Sequence, residues 1–444
     1  MVDSSSQGSR RRYLKRLGTA STIGLAGLSG CTVFSGDGGD GGDGGDGGDG
    51  GGGDGGSGDG GDGGGGGSET LTIAATVPET GQFSTLGQSV AQGYELGVAL
   101  MQEQLDMNVD LIMQDDESSP EVVRSNLQQI TSNNDVDMIW GSFSSLLVTA
   151  GSAFAENQGL PFLGAFFAYE APHRNEGYEW TYAPFPKSRD VARSTLGLLE
   201  LIPEGERPSR VGIWEPNTGW GAEQADAWEE TLGGAGFEIV LREGYQIGSE
   251  DFSTLISQSS NQDVEILLSN PSPPGGITSI NQMQSNDWSP QVLKYVRAAD
   301  PPAWWSALGE KGAYACMCPG WVPGLTGGGN EGMRQAYTDE YGLEQGQLVP
   351  VPVGGAYNVA QVASQAVQAA GSTDPSALQS ALDSEDFETV IGSFSFESNG
   401  LPTEGELTAP TGQWWQGNQH TVFPDADGPG AMDFQYPIPP WSER

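Results

Sequence analysis

The chain has 444 residues, 59 Asp and Glu against 18 Lys and Arg, a formal net charge of −41, two histidines and three cysteines. The length allows two or three domains, and 12 Trp, 15 Phe and 12 Tyr are unlike the composition of a disordered chain. So acidic a chain argues against nucleic acid as a partner, because phosphate binding needs clustered Lys and Arg. Two histidines, Cys31 and a Cys316/Cys318 pair cannot build a zinc site of ordinary spacing. No run of 18 apolar residues offers an ordinary membrane-spanning helix. No cofactor or metal is expected.

Ser9-Arg10-Arg11-Arg12-Tyr13-Leu14-Lys15 opens a Gly, Ala and Ser-rich run over 17–29. This is a charged region before an apolar stretch too short to span a membrane. It resembles a twin-arginine export signal, which directs export of folded proteins. The run ends in Leu28-Ser29-Gly30-Cys31, which resembles a lipobox and implies cleavage before Cys31 and lipid attachment to its sulfur. A free cysteine in a tail is the plainer alternative. Residues 36–67 are 23 Gly, 8 Asp and 1 Ser, with nothing to bury. A Gly-rich coil of that length spans about 30 Å, and Asp repulsion stretches it further. A calcium β-roll would need a recurring apolar residue, which this tract lacks. The expectation is a signal with lipobox over 1–31 and a disordered tether over 32–68. Beyond both, residues 69–444 hold 13 basic and 50 acidic residues, a net of −37 spread along the chain. That spread fits solubility in concentrated salt, where the Debye length falls to ~3 Å or less. A cation-binding surface is the competing reading.

From residue 69 onward, short apolar runs alternate with helical spacing. Strands are expected over 71–77, 109–113, 137–141 and 160–164, with helices over 87–105, from Pro120 and over 146–157. After an interruption at 169–187 the rhythm returns. Strands over 210–214, 237–241, 264–268 and 291–295 alternate with helices over 222–232, 252–260, 276–284 and 303–308. This pattern indicates an α/β fold of two lobes, each a mostly parallel sheet flanked by helices. Ligands of such sheets sit beyond the carboxyl ends of the strands, which two lobes turn toward a common cleft.

Five segments resemble one known family. They are Thr80-Gly81-Gln82-Phe83, Asp115-Asp116-Glu117-Ser118-Ser119-Pro120, Ile139-Trp140-Gly141-Ser142-Phe143-Ser144-Ser145, the run from Val211 to Gly221, and Asp251-Phe252-Ser253-Thr254-Leu255. In this order they resemble the solute-binding proteins of ABC importers of the branched-chain amino acid type, over roughly 70–425. The resemblance implies a type I periplasmic-binding fold with a three-strand hinge, whose crossings are expected near 183–187, 320–323 and 391–396. The expected lobes are 69–186 with 322–392, and 187–321 with 393–444. The resemblance also implies capture of a small metabolite, delivery to ABC permease subunits, and a site on the outer face of the cell membrane held by a lipid on Cys31.

Placed on this pattern, Ser144 and Ser145 fall where the family holds a carboxylate; capping of the next helix is the alternative. Helix N-termini at these loops favour anions in any case. Phe83, Phe166, Ala168, Tyr169, Trp220, Pro271 and Trp321 are expected to line the cleft. Amino-acid-specific members carry an acidic residue after the fifth second-lobe strand, and here the stretch is Lys294-Tyr295-Val296-Arg297-Ala298-Ala299-Asp300. Arg297 offers a fork for an anion instead; an interlobe salt bridge is its alternative, and Asp300 remains open as an ammonium partner. Cys316 and Cys318 are expected as buried free thiols, and His173 and His420 on loops. Two other functions remain: a lipoprotein that senses the ligand for a signalling receptor, and a secreted hydrolase using Asp115 and Asp116. Neighbouring residues at a strand end point to opposite sides, and neither a Gly-x-Ser-x-Gly elbow nor a Walker loop occurs.

Overall fold

The computed structural model describes residues 70–444. The signal, the lipobox cysteine and the tether lie outside the described residues.

From residue 70 to 182 strand and helix alternate without exception. β1 (Thr70–Val77), α1 (Ser84–Leu105), β2 (Asn108–Asp115), α2 (Pro120–Asn133), β3 (Met138–Trp140), α3 (Ser145–Gln158), β4 (Phe162–Leu163), α4 (Ala171–Asn175) and β5 (Thr181–Tyr182) follow one another. The strands form one sheet in the order β2-β1-β3-β4-β5, and every pair is parallel. β1 lies inside the sheet between β2 and β3, and Leu71, Ile73, Ala74, Ala75 and Val77 are wholly buried. Burial on both faces is why that strand reads as a continuous apolar run.

The second series is α5 (Ser188–Glu200), β6 (Arg210–Pro216), α6 (Gly219–Gly234), β7 (Glu238–Tyr245), α7 (Ser253–Asn261), β8 (Ile266–Ser269), α8 (Pro273–Ser285), β9 (Val292–Tyr295), α9 (Ala303–Leu308) and β10 (Cys316–Met317). The chain continues through α10 (Asn330–Tyr341), α11 (Val351–Ala370), α12 (Pro375–Ser384), β11 (Phe387–Thr389), β12 (Gly392–Phe394), β13 (Thr411–Trp415) and β14 (Asn418–Phe423). The second sheet runs β14-β13-β10-β9-β8-β6-β7. Its body is parallel, and the β13–β14 hairpin closes one edge antiparallel to β10. Side chains of β8 alternate between the sheet's two faces: Ile266 and Leu268 enter one core and Leu267 the other.

α11 returns to the first lobe and lies along α1. A Cβ on Gly97 would fall 2.3 Å from that of Ala360, and one on Gly93 2.6 Å from that of Ala356. The two helices therefore meet nearly backbone to backbone, which only small residues permit.

Two sequence expectations change here. The apolar run at 391–396 does not pass between lobes. β11 and β12 pair as a local antiparallel hairpin, and Phe387, Phe394 and Phe396 pack on one another and on Tyr182 in the first-lobe core. The passage comes later, between Leu407 in the first core and Ala409 in the second. Nor are the histidines on loops. His173 belongs to α4 and is buried against Phe167 and Tyr178, with ring centroids 5.0 and 5.6 Å away; His420 lies on β14. Cys316 and Cys318 are free and buried.

Candidate ligand-binding cleft

A parallel strand delivers its loop at its carboxyl end, so each sheet gathers several loops on one edge. The two edges here face one cavity of about 290 Å³. From the first lobe, the β1 exit contributes Phe83, the β3 exit Phe143, Ser144 and Ser145, and the β4 exit Tyr169. From the second, the β6 exit contributes Thr218 and Trp220, the β7 exit Ile247, the β8 exit Asn270 and Pro271, and the β9 exit Arg297.

The loops are held before any ligand is considered. Asp115 accepts from the backbone N–H groups of Glu79 (2.9 Å), Thr80 (3.1 Å) and Glu117 (2.9 Å), and from the Thr80 hydroxyl (2.8 Å). Burial works to raise its pKa, but these donors outweigh it and hold the carboxyl below the usual range. Asp116 accepts from Ser118 N–H at 3.0 Å and from the Ser142 hydroxyl at 2.5 Å; burial pushes it up to about 6. The paired carboxylates thus tie the β1, β2 and β3 exits together, and neither lines the cavity.

Ser144 sits at the mouth of α3 with φ +75° and ψ +140°, and its side chain makes no capping bond. The capping alternative is not what the hydroxyl does: its Oγ is buried without a hydrogen-bond partner. Across the cleft, Trp220 Nε1, both amide atoms of Asn270 and Arg297 Nη2 are buried and equally unpaired. Buried polar atoms seldom go unsatisfied, so their gathering around one cavity is informative.

Arg297 is 6% exposed. Its Nη1 donates to the Cys318 carbonyl at 2.5 Å and the Val296 carbonyl at 3.2 Å, and reaches Asp300 at 3.4 Å. The guanidinium lies over the Phe185 ring at 4.9 Å. Asp300 is fully buried and absent from the cavity lining, so it does not face a ligand. Burial pushes its carboxyl up to about 8 against the pull of Arg297.

Seven of the ten expected side chains line the cavity: Phe83, Ser144, Ser145, Tyr169, Trp220, Pro271 and Arg297. Three do not. Phe166 is packed behind the wall between Phe143 and Phe185, at 5.1 and 5.4 Å. Ala168 is buried, and its carbonyl accepts from the Ser188 N–H and hydroxyl. Trp321 belongs to the first-lobe core: its indole donates to Asn330 at 2.6 Å and its ring fills the space that a Cβ on Gly354 would need. Phe143, Thr218, Ile247 and Asn270 were not anticipated. Phe143 and Thr218 stand inside strings already singled out, and Asn270 is the neighbour of Pro271.

The lobes also touch beside the cavity. Glu223 of α6 accepts from the backbone N–H groups of Glu170 (2.9 Å) and Ala171 (3.0 Å) at the start of α4, and from the Ser188 hydroxyl (2.7 Å). Tyr169 lies so close to Gly219 that a Cβ there would fall 2.4 Å from its hydroxyl.

The family model for periplasmic binding proteins matches residues 70–408. A Leu/Ile/Val-binding protein homolog 7 of Brucella abortus (strain 2308) is 25% identical over 387 residues, which cover 81% of this chain and 92% of that protein. Among solved structures, the leucine binding protein LivK of Thermotoga maritima superposes with a TM-score of 0.69 at 16% identity, covering 79% of this chain and 97% of its own. A solute binding protein of R. palustris, in complex with benzoate, reaches 0.68 at 15% identity and covers 82% and 98%. LivJ of Streptococcus pneumoniae, in complex with isoleucine, gives 0.68 at 15% and covers 80% and 100%. The fold and family are those of binding proteins rather than enzymes. With two helix-flanked sheets turned edge to edge over one cavity, the chain belongs to the periplasmic binding protein family, whose solute-binding members of the branched-chain amino acid type share its architecture.

Proposed function

We propose that the protein captures a small amphipathic metabolite between its lobes, outside the cell membrane, and delivers it to an ABC importer. The observation that carries this reading is the cavity shared by both sheet edges, apolar in its rings yet ringed by unpaired buried polar atoms. Ligand settles on one lobe and the other closes over it. The closed form is what permease subunits recognise, and binding energy shifts the open–closed equilibrium toward it. The leader pattern supports attachment through a lipid on Cys31, with the Gly/Asp tract as tether, and the spread acidic charge supports a setting of concentrated salt.

Solved neighbours hold isoleucine in one case and benzoate in another. The fold therefore does not choose between amino acid and carboxylate, and the choice belongs to the cavity's own residues. Titration calorimetry of the protein in multimolar salt against amino acids, carboxylates and amides tests the reading. Saturable heat with one of them is expected; no binding, together with turnover of a polymer, would favour the hydrolase instead.

A further inference from the structure

The charges around the cavity run against those of the chain. Acids outnumber bases 59 to 18 overall, yet the charged side chains lining the cleft are Arg124 and Arg297, with no Asp or Glu among them. Arg124 is exposed at the rim, whereas Arg297 is buried. Its Nη1 arm is fully engaged by two carbonyls and Asp300, while Nη2 has no partner. The guanidinium fork is thus half filled, and the free half calls for an oxygen acceptor. Asn270 adds an unpaired amide to the same second-lobe wall.

An ammonium group would fare differently. The lining offers it neutral hydroxyl and amide oxygens but no carboxylate, and an unpaired buried charge is costly. The remaining surface is rings and hydrocarbon: Phe83, Phe143, Tyr169, Trp220, Pro271 and Ile247. A cavity of about 290 Å³ is roughly twice the ~150 Å³ that holds benzene, which leaves room for one ring or branched chain plus a carboxylate.

We infer that the ligand is an organic carboxylate with an apolar body and no cationic group, its carboxylate held by Arg297 Nη2. This rests on the reading of the cavity as a solute site. It makes the protein a discriminator against amino acids of the same carbon skeleton.

The test uses matched probes by calorimetry on the purified full-length protein: 3-phenylpropanoate, 3-phenylpropanamide and phenylalanine, with 4-methylpentanoate, its amide and leucine as the second set. Each carboxylate is expected to bind at least tenfold more tightly than its amide and its amino acid. Arg297→Gln should bring the carboxylate-to-amide ratio near one, and Arg297→Lys should keep part of it; far-ultraviolet circular dichroism confirms that both variants fold. An amino acid that binds more tightly than its deaminated counterpart would overturn the inference and leave the transport reading standing. So would a carboxylate preference that survives Arg297→Gln. If no probe binds but a thermal-shift library yields a small solute that lacks a carboxylate or carries a cationic group, the inference also falls alone. If nothing binds at all, both fall together.

Discussion

Phe83, Phe143, Phe166 and Phe185 form a chain of ring contacts behind and along the first-lobe wall, with centroids 6.0, 5.1 and 5.4 Å apart in turn. The second-lobe wall is built otherwise: Trp220, Asn270 and Arg297 each hold a buried polar atom with no partner. Packed rings stabilise the folded state whether or not a ligand is present. Unpaired polar groups lower stability and recover their cost when a ligand bonds to them. The first wall therefore sets shape, and the second reads polarity. Truncations on the two walls should differ in sign on stability while both weaken binding.

The largest effect is expected from Phe143→Ala. Phe143 is 1% exposed and touches two other rings, so its removal leaves a cavity at about 3–5 kcal/mol of folding stability. Urea unfolding of the unliganded variant measures it, and a loss under about 1 kcal/mol would mean the ring chain is not the support described.

His173 probes the same packed lobe by pH. Burial lowers its pKa to about 3, with the Lys187 charge adding to the effect, so the folded state holds it neutral. Nδ1 lies 2.8 Å from the Asn399 carbonyl, while Nε2 is buried without a partner. The unfolded state takes up a proton below about pH 6.5, and stability present above that pH drains away as pH falls toward 3. Between pH 7 and pH 5 the contribution is about 2 kcal/mol. His173→Phe should flatten that part of the stability profile relative to the parent; equal slopes for the two proteins would place the acid sensitivity elsewhere.

On the opposite wall Asn270→Ala should weaken ligand by about 1–2 kcal/mol. It should leave the melting temperature of the unliganded protein unchanged or slightly higher, because both amide atoms it removes were unpaired. Differential scanning calorimetry without ligand separates the two walls: a clear fall in melting temperature would show that Asn270 supports the fold after all.

How much of this was legible in the chain follows the same division. Period and punctuation carried the elements well. The expected 303–308 helix is α9 residue for residue, and Pro120 opens α2 behind a Ser119 cap. Topology brings the strand exits to one edge, and the family resemblance is what picked out Ser144, Trp220 and Arg297 among the residues there. Trp321 was not, because a large ring after a strand fits a cleft or a core equally well. Its fate is decided by Asn330 and by the bare face of Gly354, distant in sequence. Phe394 and Phe396 read as a strand of either kind, and the local partner Phe387 won over a crossing. Asn270 beside a proline reads as a turn, and nothing local shows that its amide ends up buried and unpaired.

Ser144 is the exception on the first wall, and it gives the smallest and sharpest prediction. Its backbone occupies a positive-φ conformation normally left to glycine, at a cost of order 1 kcal/mol. A residue kept there against that cost should contribute through its side chain, and the hydroxyl is buried, unpaired and on the cavity wall. Ser144→Gly relieves the backbone and removes the hydroxyl together. Ser144→Ala removes the hydroxyl and keeps the strain. Both variants should lose about the same ligand affinity, close to the ~1 kcal/mol of one neutral hydrogen bond, while the glycine variant should be more stable than the alanine variant by about 1 kcal/mol. Paired denaturation and calorimetry on the two variants decide it. If the alanine variant binds as well as the parent, Ser144 is part of the shape-setting wall and the division between the lobes is complete.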